Sequence, residues 1–311
     1  MEVIVIGELN VDIILNKIDG LPKIGKEIMA GSMSVTLGSS SAIFASNLSS
    51  LGIEVAFIGK IGNDNFAEVV LGSLKGRKVD TSHILRSDSL STGATIVLNY
   101  DQDRANITYP GAMDDLRLHD IDFKYLEKAS HMHFSNCFMQ PGIRQDLVAL
   151  FRKSKEMGLT TSFDTQWDPE EKWDLPLEAL LPYVDLFLPN IKEFEFLTRS
   201  SSVEEGIRKI KPFANKIIIK NGSDGALGWD GSELISQPAF KNDKVIDCIG
   251  AGDSFNAGFI ADFIKKAPFR KCLETGALTG AINTTMSGGT GAFENREMVS
   301  KIAKERFNYK F

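Results

Sequence analysis

DCIGAGDSFNAGF, Asp247 to Phe259, sets glycines and an aspartate between a β-branched run (KVID) and an apolar helical pattern. Gly250 and Gly252 permit backbone geometry that other residues resist. Downstream, Phe255, Phe259 and Phe263 fall with Ile260 and Ile264 on one helical stripe. A helix therefore begins at this turn. The amides of Ala251, Gly252 and Asp253 are expected free at its N-terminus, where unpaired donors and the helix dipole attract anions. The same dipole favours an ionised Asp253, which could act as a base toward a hydroxyl. A plain capped turn fits this stretch equally well.

Composition narrows the choice. With 311 residues, 43% hydrophobic and 24% charged, the chain is globular and long enough for one large α/β domain or two ordinary ones. A net charge of −6 argues against a nucleic-acid partner. No apolar run approaches the ~20 residues of a membrane span. Cys137, Cys248 and Cys272 share no metal-type spacing and read as reduced thiols of a cytoplasmic protein. The opening MEVIVIGELNVDIIL is interrupted by Glu8, Asn10 and Asp12, so it reads as a first buried strand and not a signal peptide.

The second half alternates strands (HMHFSN, LTTSFDT, VDLFLPN, KIIIKNG) with helices (Arg144 to Met157, the segment from IKEFEFLT, and SFNAGFIADFIKK). That alternation predicts a parallel sheet covered by helices. The first half adds helices at Ser40 to Leu51 and at Asn65 to Lys75, the latter capped by Asp64. It also adds short strands that break the alternation. Ala94 to Tyr100 and Arg104 to Tyr109 read as a hairpin around DQD. Segments 12–37 and 92–110 are expected to form a small β lid inserted in a single domain spanning 1–311.

At this point the chain resembles a known family. DCIGAGDSFNAGF matches the C-terminal signature of ribokinase-like (PfkB-type) carbohydrate kinases, roughly D-T-x-G-A-G-D-x-F-x-A-G. The resemblance implies a three-layer α/β sandwich with a mostly parallel sheet and a β lid. It implies Asp253 as catalytic base, with Gly250, Ala251 and Gly252 as anion hole. IGELNVDII is similar to the family's first strand, which makes Asn10 and Asp12 ligands of sugar hydroxyls; read alone, they favour a turn. LPNIKEFEFL resembles its N-x-x-E motif. Asn190 and Glu193 stand at i and i+3, and both can face one metal–phosphate centre. There Glu193 would order Mg²⁺ largely through water; an exposed acidic helix start is the plain alternative. Lys220, Gly222 and Gly225 resemble a phosphate loop, with a hairpin bearing a snorkelling lysine as the alternative. Asn283 is an adenine candidate, whereas Ala277, Ala281 and Thr285 read as close helix packing. Many members hold a monovalent cation at the position of Asp247 and Ile249, which leaves K⁺ open here.

The family's N-terminal signature, G-G-x-x-x-N, reads GSSSAI in this chain. Gly38 keeps the first glycine, Ser39 replaces the second, and Ile43 replaces an asparagine that holds sugar hydroxyls. Asn47 comes four residues late and cannot substitute, while Ser39 to Ser41 offer other hydroxyls. Arg104 is a candidate for an acidic acceptor, or a solvated hairpin charge. Ser135 and Asn136 end a central strand within reach of the site. Asp164 ends another strand and is a second-rank candidate at the phosphate end. His131 and His133 lack a third ligand and read as structural.

The expected function is an ATP- and Mg²⁺-dependent phosphotransferase acting on a hydroxymethyl group of a small sugar-like acceptor. A homodimer through the lid is a further expectation. The rivals are a nucleoside kinase of the same fold and a non-catalytic sugar or nucleotide sensor. A nicotinamide dehydrogenase is disfavoured, because VIVIGELNVD lacks a G-x-G-x-x-G turn.

Overall fold

Alternation within VIVI makes the first strand two-sided. The computed structural model describes residues 1–100 and 103–310. In it Val3 and Val5 join one apolar cluster while Ile4 and Ile6 join another. Successive side chains point to opposite faces, so a strand covered on both sides is apolar throughout.

In chain order the strands are β1 (Val3–Ile6), β2 (Asn10–Ile18), β3 (Ala30–Leu37), β4 (Val55–Gly62), β5 (Asp80–Ser87), β6 (Gly93–Tyr100) and β7 (Asp103–Tyr109). There follow β8 (His131–Ser135), β9 (Thr160–Asp164), β10 (Leu186–Phe187), β11 (Lys216–Lys220), β12 (Ala226–Trp229) and β13 (Leu234–Gln237). A nine-stranded sheet has the order β13-β12-β11-β10-β9-β8-β1-β4-β5. From β11 to β5 the neighbours run parallel, and β12 and β13 add an antiparallel edge.

Helices Ser40–Ser50, Asn65–Gly76, Ala251–Phe263, Phe269–Asn283 and Arg296–Phe307 cover the Val3/Val5 face. Leu147–Glu156, Ile191–Thr198 and Val203–Ile210 cover the other. Asp64 caps the Asn65 helix as expected and also accepts from the Thr92 amide at 2.7 Å. The single helix expected from Arg144 is instead two, Pro141–Arg144 and Leu147–Glu156. A turn separates them, in which the Asp146 amide donates to the Ile143 carbonyl at 2.9 Å.

The early strands form a separate four-stranded sheet, β3-β2-β6-β7. β6 and β7 are the expected hairpin; the turn between them, at residues 101–102, lies outside the described residues. Register sorts this sheet by face. Asp12 lies opposite Thr36 and Thr95, and Thr95 opposite Thr108. The next register line is Val35, Ile13, Ile96 and Ile107. One face is therefore polar and the other apolar, with Met33, Ile107 and Tyr109 exposed on the apolar one. Among the described residues the three cysteines are free, and no helix is long and apolar enough to cross a membrane.

Candidate active site

Parallel strands deliver their following residues to one edge, where ligands of open α/β sheets bind. Here that edge carries Glu8 after β1, Asn136 after β8, Asp164 at the end of β9 and Lys220 at the end of β11. The helix Ala251–Phe263 points its N-terminus at the same edge. Gly250 caps it at φ 74, a left-handed conformation that suits glycine. A Cβ on Gly250 would also press on the Gly289 backbone and on Ile43.

This turn is a wall between two cavities. Gly250 and Asp253 face a cavity of about 730 Å³ beneath the small sheet. Ala251 and Gly252 face one of about 500 Å³, together with Lys220, Gly222 and Gly225. Of the three amides expected free, that of Ala251 donates to the Cys248 carbonyl at 3.2 Å, closing the turn that starts the helix. Those of Gly252 and Asp253 meet no protein acceptor among the described residues. Phe255 and Phe259 of the expected stripe are buried in the core.

The larger cavity is made of side chains. Asn10 donates to the Thr95 hydroxyl at 2.8 Å and to Asp12 at 3.3 Å, so Asn10 and Asp12 face inward. Burial raises Asp12 to about 6, against the opposing effects of Asn10 and Arg104. Gly38 lies against this pair, and a Cβ there would run into Asp12 Oδ1. Ser39 to Ser41 do not present free hydroxyls. All three donate to Glu8, Ser39 at 3.0 Å and Ser40 at 2.9 Å. Glu8 is buried on the cavity floor, and burial raises its carboxyl despite these donors. Ser135 is buried behind them, with its hydroxyl 3.1 Å from those of Ser40 and Ser41, while Asn136 reaches the cavity. Arg104 is exposed on β7 and lines the cavity from the lid.

Asp164 is the hub beneath the wall. Fully buried, its Oδ2 accepts from Lys220 Nζ at 2.6 Å, Asn256 Nδ2 at 2.5 Å and Gln166 Nε2 at 3.1 Å. The Gln166 amide also donates to Asp253 Oδ1 at 3.2 Å, tying hub to candidate base. Asp253 is 7% exposed. Burial first, then Asp164, push its carboxyl well above the usual range, and Lys220 opposes them. Burial would depress the Lys220 ammonium, but Asp164, Glu193 and Asp253 outweigh it and raise it. This lysine does not snorkel; it is buried among carboxylates.

Asn190 and Glu193 face each other as a capping box. The Glu193 amide donates to Asn190 Oδ1 at 2.9 Å, and the Asn190 amide to Glu193 Oε2 at 2.8 Å. The pair starts the helix Ile191–Thr198 and lines neither cavity. Glu193 is 4% exposed, its carboxyl raised by burial and by Asp164, and Asn190 bridges to Lys220 in the sheet.

Asn283 does not line the smaller cavity. It is fully buried, accepts from the Ser254 hydroxyl at 2.9 Å and donates to the Ile249 carbonyl at 2.6 Å, so it anchors the turn from behind. Ala277 and Ala281, read as packing residues, do line that cavity. Asp247 accepts from the amides of Ile249 and Gly288, both at 2.9 Å, and joins two loops. Asn47 clamps the Ser254 hydroxyl and the Gly289 carbonyl, each at 2.8 Å, away from the larger cavity. His131 and His133 are buried against Thr160 and Ser162; burial holds His131 down to about 3 and His133 well below its usual value. Glu8, Thr95 and Gln166 are the site residues that sequence reasoning missed. The only signal for Glu8 was a charge interrupting an apolar strand.

A sequence model described as the pfkB family of carbohydrate kinases matches residues 1–296. An uncharacterized sugar kinase of Archaeoglobus fulgidus is 29% identical over 235 residues, covering 75% of this chain and 92% of that protein. A 2-dehydro-3-deoxygluconokinase of Bacillus subtilis is 26% identical, covering 83% of each chain. The structure of an Arabidopsis thaliana ribokinase complexed with ribose and ATP aligns with a TM-score of 0.85 at 22% identity, over 97% of this chain and 98% of that one. That likeness shows the fold: a three-layer sandwich with a mostly parallel sheet and a small second sheet. With the family match running through nearly the whole sequence, the chain belongs to the pfkB family of carbohydrate kinases and is an ATP-dependent sugar kinase.

Proposed function

We propose that Asp253 takes the proton from a hydroxymethyl group of a small sugar-like acceptor as its oxygen attacks the terminal phosphoryl group of ATP. One observation carries this reading: the GAGD turn is the wall between two cavities, with Asp253 on one side and Gly252 and Lys220 on the other. The acceptor lies under the small sheet, against Asn10 and Asp12. The nucleotide lies against Lys220, Gly222 and Gly225. Phosphoryl transfer passes through a loose transition state, so alignment and charge stabilisation outweigh proton removal. The Gly252 and Asp253 amides and Lys220 oppose charge on the transferring group.

The donor set also fits magnesium. Asp164, Glu193 and Asp253 gather around Lys220, and one or two of these carboxyls with water completing the shell would suffice for a hard cation. Glu193 would hold it through water, and when bound it neutralises phosphate charge. A monovalent cation beside Asp247 and Ile249 belongs to the same reading and is tested by turnover with and without K⁺. The apolar outer face of the small sheet, Met33 and Ile107 included, would be covered by a second copy of the chain. Three free thiols fit a cytoplasmic setting.

Asp253→Asn keeps shape and removes the base. Turnover should fall by roughly 10²–10⁴-fold, with the thermal midpoint and ATP affinity near those of the parent. Turnover within a few-fold of the parent would overturn the assignment.

A further inference from the structure

The cavity under the small sheet is rich in hydrogen-bond acceptors. Its carboxyl groups are Glu8, Asp12 and Asp253; among the described lining residues the only cation is Arg104. Arg104 is exposed and its charge already acts on Asp12. Several of the cavity's donors are committed internally. Ser39 and Ser40 serve Glu8, Asn10 serves Thr95 and Asp12, and Gln166 serves Asp164 and Asp253. The buried side-chain oxygen of Asn136 has no partner among the described residues. Trp167 forms an apolar wall, 45% exposed and braced edge-on by Trp173 at 4.9 Å.

We propose that the acceptor is an uncharged polyhydroxylated molecule, and that sugar acids and sugar phosphates are rejected. The inference rests on the kinase reading only for calling the ligand an acceptor. Hydroxyls bring the donors that the carboxylates and the Asn136 oxygen lack, whereas a carboxylate or phosphate brings only more acceptors. An anion here would lose water and meet three carboxyl groups against one exposed guanidinium. It would also hold the proton on Asp253, against the role of a base. Discrimination therefore comes from repulsion as much as attraction. The apolar wall suits the C–H face of a ring.

The test uses matched pairs: ribose with ribose 1-phosphate, and fructose with fructose 6-phosphate, with adenosine and 2-dehydro-3-deoxygluconate as larger neutral and acidic probes. ATP consumption is followed for each. Binding is followed separately by quenching of tryptophan fluorescence, since Trp167 lines the cavity. We expect the best neutral member to exceed every anionic one by about 100-fold or more in kcat/KM, like-charge juxtaposition costing several kcal/mol. An anionic probe as best substrate or tightest ligand overturns the proposal, as does neither turnover nor quenching with any neutral probe. Quenching by neutral probes without ATP consumption would instead leave the acceptor class standing and sink the kinase reading.

Discussion

The cavities on either side of the GAGD turn are built from different materials. Beneath the small sheet, the surface is made largely by side chains from five separate stretches, 8–12, 39–43, 95–113, 136–169 and 249–253. On the far side, Gly222, Gly225, Gly252, Ala277, Gly280 and Ala281 leave mainly backbone exposed, with Lys220 as the one buried charge. Backbone donors come with a helix start and a glycine turn, and no substitution can remove them without changing the fold. Side chains on a small sheet can be exchanged one at a time. On the proposed reading, phosphate handling would fall to the half that cannot drift, and acceptor choice to the half that can.

The largest break in this contrast is at Lys220. Lys220→Met leaves Asp164 buried without its counter-charge, a loss of about 3–5 kcal/mol of stability, read as a lowered urea midpoint. Asp164→Asn in the same chain should recover much of it. If the single variant is as stable as the parent, the buried pair is not what holds the edges of β9 and β11 together.

Gln166→Leu is next. It cuts the tie between Asp253 and the Asp164 hub while leaving the nucleotide side intact. Turnover should drop about tenfold or more through misalignment, with the KM for ATP unchanged. Because the Gln166 hydrogen bond lowers the Asp253 carboxyl, its loss raises that carboxyl further. The acid limb of the rate profile must then move to higher pH. An unmoved limb would make Gln166 a loop residue only.

What the sequence disclosed follows the same division. The GAGD helix, the Asp64 cap and the Asn190–Glu193 pair are local, because a few consecutive residues determine each. Glu8 looked like a flaw in an apolar strand. It proved to be the partner of three serines more than 30 residues away, a relation set by the crossing of β1 and the Ser40–Ser50 helix. Gln166 sits in a loop at φ 58, which no periodicity marks. Asn283 was misplaced because helical spacing gives the face only to within a residue, and its neighbours Ala281 and Thr284 face the cavity instead. Polar burial belongs to the tertiary structure, and local patterns do not carry it.

A smaller effect separates the halves by pH. Asp12, with its carboxyl raised to about 6, lies on the acceptor side only. As pH falls through 6 it takes a proton, and the KM for the acceptor should rise by up to about tenfold per unit while Asp12 leaves the KM for ATP alone. The stability sign is the reverse. A carboxyl whose folded value lies above its ordinary value of 3.8 favours the fold below that value, and this is lost as pH rises through about 6. Asp12→Asn should therefore stabilise the protein at pH 8 and not at pH 4, while weakening acceptor binding.

The finest probe of the wall is Ile43, which is buried, lines the acceptor cavity and packs over Gly250 and Gly289. A Cβ on Gly289 would overlap its Cδ1, so these glycines and this isoleucine are shaped to each other. Ile43→Val deletes that methyl for roughly 0.5–1.5 kcal/mol. The notch it leaves opens on the acceptor side, since Ile43 does not line the other cavity. The acceptor KM should shift about two- to five-fold, in keeping with the value of one methyl in a pocket, and the ATP KM should stay fixed. Ile43→Asn, which restores the residue common in the family, adds a buried amide whose nearest fixed neighbours are glycine backbones, and it should cost more, about 1–3 kcal/mol if the amide is unpaired. Should either change move the ATP KM as far as the acceptor KM, the turn would be a hinge shared by both ligands and not a wall between them.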